Sequence, residues 1–131
     1  MLKPTLATLL ALSLPSLAFA CPTINGQFER KIDASSSVIV DMATKVENGK
    51  YFYSFDVEAS APFLEADGVM KRLTHEGVSG TLRVSCEANW VQIEATEDGS
   101  SPEKQKHILL SPTQLQIESD DAVFSGIFTK I

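Results

Sequence analysis

The stretch from Ser37 to Glu58 reads SVIVDMATKVENGKYFYSFDVE. Its centre, Asn48-Gly49, separates two runs rich in β-branched and aromatic residues, and this dipeptide is the strongest short-range signal for a hairpin with a two-residue loop. A loop of that length leaves one register, in which Val46 faces Tyr51. The stretch therefore predicts an antiparallel β-hairpin, and the rest of the chain is interpreted around it.

The predicted register sorts the hairpin side chains by polarity, because successive residues of a strand point to opposite faces. We expect Val40, Met42, Tyr51, Tyr53 and Phe55 to be buried on one face. In a protein with an internal binding cavity, the same face would contact the ligand through Met42, Tyr51, Tyr53 and Phe55. The apolar face also carries Val38, Val46 and Val57, and the polar face carries Asp41, Lys45, Glu47, Lys50 and Asp56.

Weaker strand signals flank the hairpin, and no stretch predicts a convincing helix. Short connections separate most of these strands, and residues 96–105 predict a longer polar loop. The pattern predicts an all-β, antiparallel up-and-down meander of about eight strands. We expect the meander to close into a barrel, since closure removes exposed strand edges, and a two-sheet sandwich is the alternative. The further strands are predicted at 26–32, 69–74, 78–86, 90–95, 106–110, 114–118 and 123–131.

The first 20 residues have the pattern of an export signal. Lys3 is followed by an uncharged apolar run from Thr5 to Leu14, and Ala18-Phe19-Ala20 matches an A-x-A cleavage site. The run is shorter than the roughly 20 apolar residues that span a membrane. We predict cleavage after Ala20, a single domain at 21–131, no transmembrane segment, and a periplasmic or secreted location.

Two cysteines, Cys21 and Cys86, remain after the predicted cleavage. An exported protein folds where disulfides persist, so we predict one bridge closing a loop of about 66 residues. The alternative is a lipid anchor on Cys21, since bacterial lipoproteins are cut just before a cysteine. The residues before Cys21 match that motif poorly, because bulky Phe19 stands where a small residue is usual.

Gly26-Gln27-Phe28, on the first predicted strand of an acidic exported chain, resembles the G-x-W motif of the lipocalin-like (calycin) proteins. Phe28 stands in place of the motif's tryptophan, and the single tryptophan, Trp90, lies elsewhere. The resemblance implies a small up-and-down barrel that binds a ligand. Small bacterial protease and lysozyme inhibitors have the same general form, although none of their motifs is clear in this chain.

Composition and motifs exclude several classes of function. The 131 residues include 17 acidic and 11 basic side chains, which disfavours nucleic-acid binding. His75 and His107 are the only histidines, and neither lies in a pattern typical of a catalytic or metal site. Neither acidic cluster, at 94–98 or 118–121, has a calcium-loop spacing. We therefore expect no enzymatic activity, no cofactor and no metal.

The function predicted from these observations is that of an exported binding module, monomeric, for a small apolar ligand or a protein partner. The alternative is an inhibitor of a secreted hydrolase. An inhibitor would place its contacts on an exposed loop such as Glu97 to Lys104, whereas a ligand-binding module would show an open cavity.

Overall fold

The computed structural model describes residues 20–57 and 60–131. Apart from Ala20, the predicted signal peptide lies outside the described residues. The regular elements of the described chain are ten strands and one 3-10 turn, Ala122–Phe124. The strands are β1 (Gly26–Lys31), β2 (Ser37–Glu47), β3 (Lys50–Ser54), β4 (Leu64–Glu65), β5 (Lys71–His75), β6 (Val78–Glu87), β7 (Trp90–Glu97), β8 (Glu103–Ser111), β9 (Gln114–Ser119) and β10 (Gly126–Lys130).

All ten strands form one antiparallel sheet in the order β4-β3-β2-β1-β10-β9-β8-β7-β6-β5. Strands that are neighbours in the sheet are also consecutive in the chain, except for β1 and β10. The strands β4 and β5 are consecutive in the chain but lie at opposite edges of the sheet. The prediction of an all-β antiparallel meander is confirmed, and the two-sheet sandwich is wrong. The predicted loop at 96–105 is shorter than expected, because β7 extends to Glu97 and β8 begins at Glu103.

The prediction of a closed barrel is also wrong. The edge strands β4 and β5 are joined by residues 66–70, but no ladder pairs them among the described residues. The reason is the shortness of β4. Pro62, which has no N–H to donate, precedes it, and a turn at Asp67-Gly68 follows it, where the Asp67 carboxylate accepts the Val69 N–H at 3.0 Å.

The Asn48-Gly49 hairpin has the predicted register close to its turn. Glu47 pairs with Lys50, and the ladder continues to Ala43 and Ser54. The strand β3 then ends, so the predicted pairing of Met42 with Phe55 is absent from the ladder. Beyond that point, the Val57 N–H donates to the Asp41 carbonyl at 3.3 Å.

The sheet curls so that its two halves share one core. In a flat sheet, β3 and β8, which lie five strands apart, would be separated by about 24 Å. The ring of Phe55, which follows β3, instead lies 5.3 Å from the ring of His107 on β8. The buried core residues come from both halves: Ile24, Phe28, Val40, Met42, Tyr53, Val84, Val91, Leu115, Ile117 and Phe128.

The N-terminal segment, residues 21–25, closes one end of the curled sheet. The predicted disulfide is confirmed: Cys21 is bonded to Cys86 near the end of β6, with the two Cα atoms 5.6 Å apart. The buried Tyr53 hydroxyl donates to the Pro22 carbonyl at 2.7 Å, and Ile24 is 1% exposed. The turns β2–β3, β6–β7 and β8–β9 lie at this end, which we call the closed end.

Candidate functional site

A cavity of about 470 Å³ lies at the opposite, open end of the curled sheet. This volume lies within the range of small-molecule sites, roughly 300–1,000 Å³. We call it the mouth cavity. It is formed by β5, β6, β7 and the β7–β8 loop, and the connections β5–β6 and β7–β8 border it. Its apolar wall consists of Leu73, Val78, Leu82 and Ala95, and polar groups come from His75, Glu76, Ser79, Thr96, Glu97, Ser100, Ser101 and Glu103.

The strand register explains why apolar side chains meet in this cavity. Leu73 pairs with Gly80, and Leu82 pairs with Ala95. Directly paired residues project from the same face of a sheet, so these positions share one wall. The same face of β6 continues to Val84, which is buried in the core. The mouth cavity is therefore the open-end continuation of the core-facing surface.

Small residues keep the mouth cavity open. Gly80 and Ala95 supply little or no side chain on the wall, where larger residues would fill the space. A Cβ atom on Gly80 would collide with the Thr96 carbonyl oxygen, so the close approach of β6 and β7 requires glycine there. In the sequence, Gly80 is simply a glycine within the predicted strand 78–86; its pairing with Glu97 and its closeness to Ala95 depend on the register.

The predicted ligand-contacting residues lie elsewhere, in the packed interior on β2 and β3. Met42 and Tyr53 are fully buried, whereas Tyr51 and Phe55 are half-buried and pack against the core. The rings of Tyr51, Tyr53 and Phe55 follow one another with centroids 6.5 Å and 6.3 Å apart. None of these four residues lines the mouth cavity, so their contact with a ligand stays a prediction.

His107 lies in the core below the open end. It is 2% exposed, and its Nδ1 has no hydrogen-bond partner among the described residues. Burial lowers the pKa of His107 to about 4, against the opposing effect of a backbone hydrogen bond with Val91. His107 is therefore neutral at neutral pH. His75, in contrast, is exposed beside the β5–β6 turn, and the two histidines do not form a common site.

Two arginines form ion pairs with carboxylates on the outer face of the sheet. The Nη2 group of Arg83 on β6 donates to both carboxylate oxygens of Glu94 on β7, at 2.9 Å each, and this hydrogen bonding lowers the pKa of Glu94. Arg72 donates from two guanidinium nitrogens, one to each carboxylate oxygen of Asp98, and lowers the pKa of that carboxyl group. The acidic clusters noted in the sequence are thus largely engaged by cations or by backbone amides.

The described residues contain neither a cluster of metal-binding side chains nor a helix that could span a membrane. No group of three or more histidine, cysteine, aspartate or glutamate side chains lies close enough to hold a metal ion. Across residues 20–57 and 60–131, there is also no helix of the length and apolarity that crossing a membrane requires.

A second cavity, of about 440 Å³, lies at the closed end between the N-terminal segment and the β8–β9 turn. Ile24, Phe28 and Leu109 contribute to it, with Lys130 at its side. Ile24 and Phe28 are each 1% exposed, so they present little surface to a ligand. The closed-end cavity is consequently a weaker candidate than the mouth cavity.

Comparison with known proteins identifies no relative. No protein-family model, no curated protein and no solved structure matches the chain. The mouth cavity is therefore the feature that bears most directly on function.

Proposed function

We propose that the protein binds a small molecule with an apolar body in the mouth cavity and that it acts as an exported binding module. The observation that carries this proposal is an open cavity of about 470 Å³ whose wall continues the apolar core surface of the sheet. Concave sites that combine an apolar wall with polar groups are common in the mouths of β-barrels.

The asymmetry of the two ends supports the proposal. The N-terminal segment fills the closed end with Ile24 and is held there by the disulfide and by the hydrogen bond of Tyr53 to Pro22. The open end has no comparable segment among the described residues. A ligand would therefore enter the mouth cavity from the open end, and its apolar part would extend the contacts of Leu82 and Ala95.

The disulfide is consistent with an exported protein, because such bonds persist outside the reducing cytosol. The periplasmic or secreted location, the monomeric state and the absence of enzymatic activity remain predictions. The hydrolase-inhibitor hypothesis also stays a prediction. Its proposed loop borders the mouth cavity, and Asp98 within that loop is bound by Arg72.

A matched pair of substitutions tests the mouth cavity. Val78 lines it and is 49% exposed, while Val46 lies near the β2–β3 turn at the closed end and is 51% exposed. We expect the fold to tolerate a charge at either position, because each side chain already contacts water. We expect Val78→Asp to weaken binding of the uncharged fluorescent probe N-phenyl-1-naphthylamine by about tenfold, through loss of apolar contact and addition of a charge at the wall.

The control variant Val46→Asp should bind the probe like the unmodified protein. The measurement is probe fluorescence titrated against protein, with thermal unfolding used to confirm that both variants are folded. No saturable binding to the unmodified protein, or equal loss in both variants, would rule out the mouth cavity as the binding site.

A further inference from the structure

The charged side chains that line the mouth cavity are all acidic. Three carboxylates, Glu76, Glu97 and Glu103, line it, and neither lysine nor arginine is among its lining residues. Glu97 pairs with Gly80, and Glu103 pairs with Ala95, so both project from the face that forms the apolar wall. A cavity with apolar walls and carboxylates at its entrance is suited to a molecule that combines an apolar body with a positive charge.

Neighbouring cations do not neutralise these two carboxylates. Glu97 and Glu103 form no ion pair with any described residue. Arg72 is bound to Asp98, and Arg83 is bound to Glu94. Lys104 follows Glu103 in the strand and pairs with Glu94, so it projects from the opposite face. The charges of Glu97 and Glu103 therefore remain at the entrance of the cavity, where no ion pair among the described residues neutralises them.

We propose that the mouth cavity selects cationic amphiphiles, with the apolar part against Leu82 and Ala95 and an ammonium group between Glu97 and Glu103. This inference rests on the proposed function. Low-dielectric walls strengthen the attraction between an ammonium group and a nearby carboxylate and concentrate the field of the entrance. The formal net charge of −6 adds attraction at longer range. A carboxylate ligand would be repelled by the same groups.

The test compares three probes that share one alkyl chain and differ in the head group: decylamine, decanol and decanoate. Binding is measured by isothermal titration calorimetry at neutral pH and low salt, below the concentration at which each probe forms micelles. We expect decylamine to bind about fivefold more tightly than decanol, from one carboxylate–ammonium contact worth about 1 kcal/mol, and decanoate to bind most weakly. Added salt should reduce the preference.

The double variant Glu97→Gln/Glu103→Gln should lose the preference for decylamine while retaining decanol binding. Glu87→Gln/Glu118→Gln is the matched control, since it removes the same amount of charge from exposed positions outside the cavity and should retain the preference. Thermal unfolding checks that each variant is folded.

The outcomes separate this inference from the proposed function. If none of the probes binds, the cavity is not a ligand site and both fail. If all three bind equally, or if the glutamine variant keeps the preference, the cavity function stands and charge selection is overturned. Tightest binding of decanoate would also overturn it, and would point instead to Arg30, which pairs with core-facing Val38 and packs across Gly126.

Discussion

His107 is the residue whose ionisation affects the fold most directly. Its pKa is lowered from 6.5 to about 4 in the folded protein, so the folded state binds fewer protons than the unfolded state between these values. Stability therefore rises with pH across this window and is lost as the pH falls from 6.5 toward 4. The His107 ring packs against the apolar ring of Phe55, and its Nδ1 has no hydrogen-bond partner among the described residues. The protonated, positively charged form of His107 would therefore lack a stabilising partner in the core.

The substitution His107→Phe keeps an aromatic ring of similar shape in the core and removes the titrating group. Unfolding by urea is measured at neutral pH and at about pH 5. We expect His107 to cost the unmodified protein about 2 kcal/mol of unfolding free energy between the two conditions, a loss that the variant should not show. The exposed carboxylates with lowered pKa values titrate at lower pH and do not confuse the comparison. An equal acid-induced loss in both proteins would show that His107 is not responsible.

At the scale of single elements, the hairpin shows which part of a sequence pattern is reliable. The two-residue turn and the alternation of apolar residues both predict the observed pairing of Val46 with Tyr51 and the burial of Val40, Met42 and Tyr53. Val46 and Val57 are nevertheless exposed, at 51% and 41%. Val46 lies at the tip beside the turn, and Val57 lies beyond the end of β3. Alternation identifies a face, whereas the ends of the core depend on partners from distant strands.

Phe55 gives the prediction for this element. It lies just past β3, half-buried, with its ring 6.3 Å from Tyr53 and 5.3 Å from His107. Replacing Phe55 with Ala should lower the free energy of unfolding by about 3 kcal/mol, the lower end of the range for core aromatic residues, because the ring is only partly buried.

Phe63 is the matched control for Phe55→Ala. Its ring is 42% exposed and lies 5.0 Å from the Lys45 ammonium group. The Phe63→Ala change should cost less than about 1 kcal/mol. Urea unfolding of both variants measures the difference, and equal effects would mean that Phe55 does not support the core.

For the whole molecule, local patterns predict the strands, and contacts distant in sequence decide how they assemble. The Asn48-Gly49 turn, the alternation in β6 and the two cysteines are visible in the chain. The failure of closure is not, because it depends on β4 being limited to Leu64–Glu65. The mouth cavity is equally hidden, since it arises only when Gly80, Ala95 and Leu82 are aligned by two separate strand pairings. The sequence pattern favours Tyr51, Tyr53 and Phe55 as ligand contacts because of their size, but large side chains fill space and small ones leave it.

The disulfide helps to hold the open curl together. The Cys21–Cys86 bond joins the segment before β1 to β6, and these two strands lie five positions apart in the sheet. The bond therefore substitutes in part for the missing pairing of β4 with β5. Cross-linking residues 65 positions apart also restricts the unfolded chain. In the loop-entropy description, that restriction is worth about 4 kcal/mol, a large share of the roughly 5–15 kcal/mol typical of a domain.

We therefore expect Cys21→Ser/Cys86→Ser to lower the unfolding free energy by about 4 kcal/mol, as measured by urea titration without reductant. Adding reductant should destabilise the unmodified protein to the same extent and leave the double variant unchanged, which separates loss of the bond from any effect of the serine side chains. The hydrogen bonds of Thr44 to Ile24 and of Tyr53 to Pro22 also hold the N-terminal segment. Equal stability with and without the disulfide would mean that these bonds, together with the burial of Ile24, suffice to keep the closed end closed.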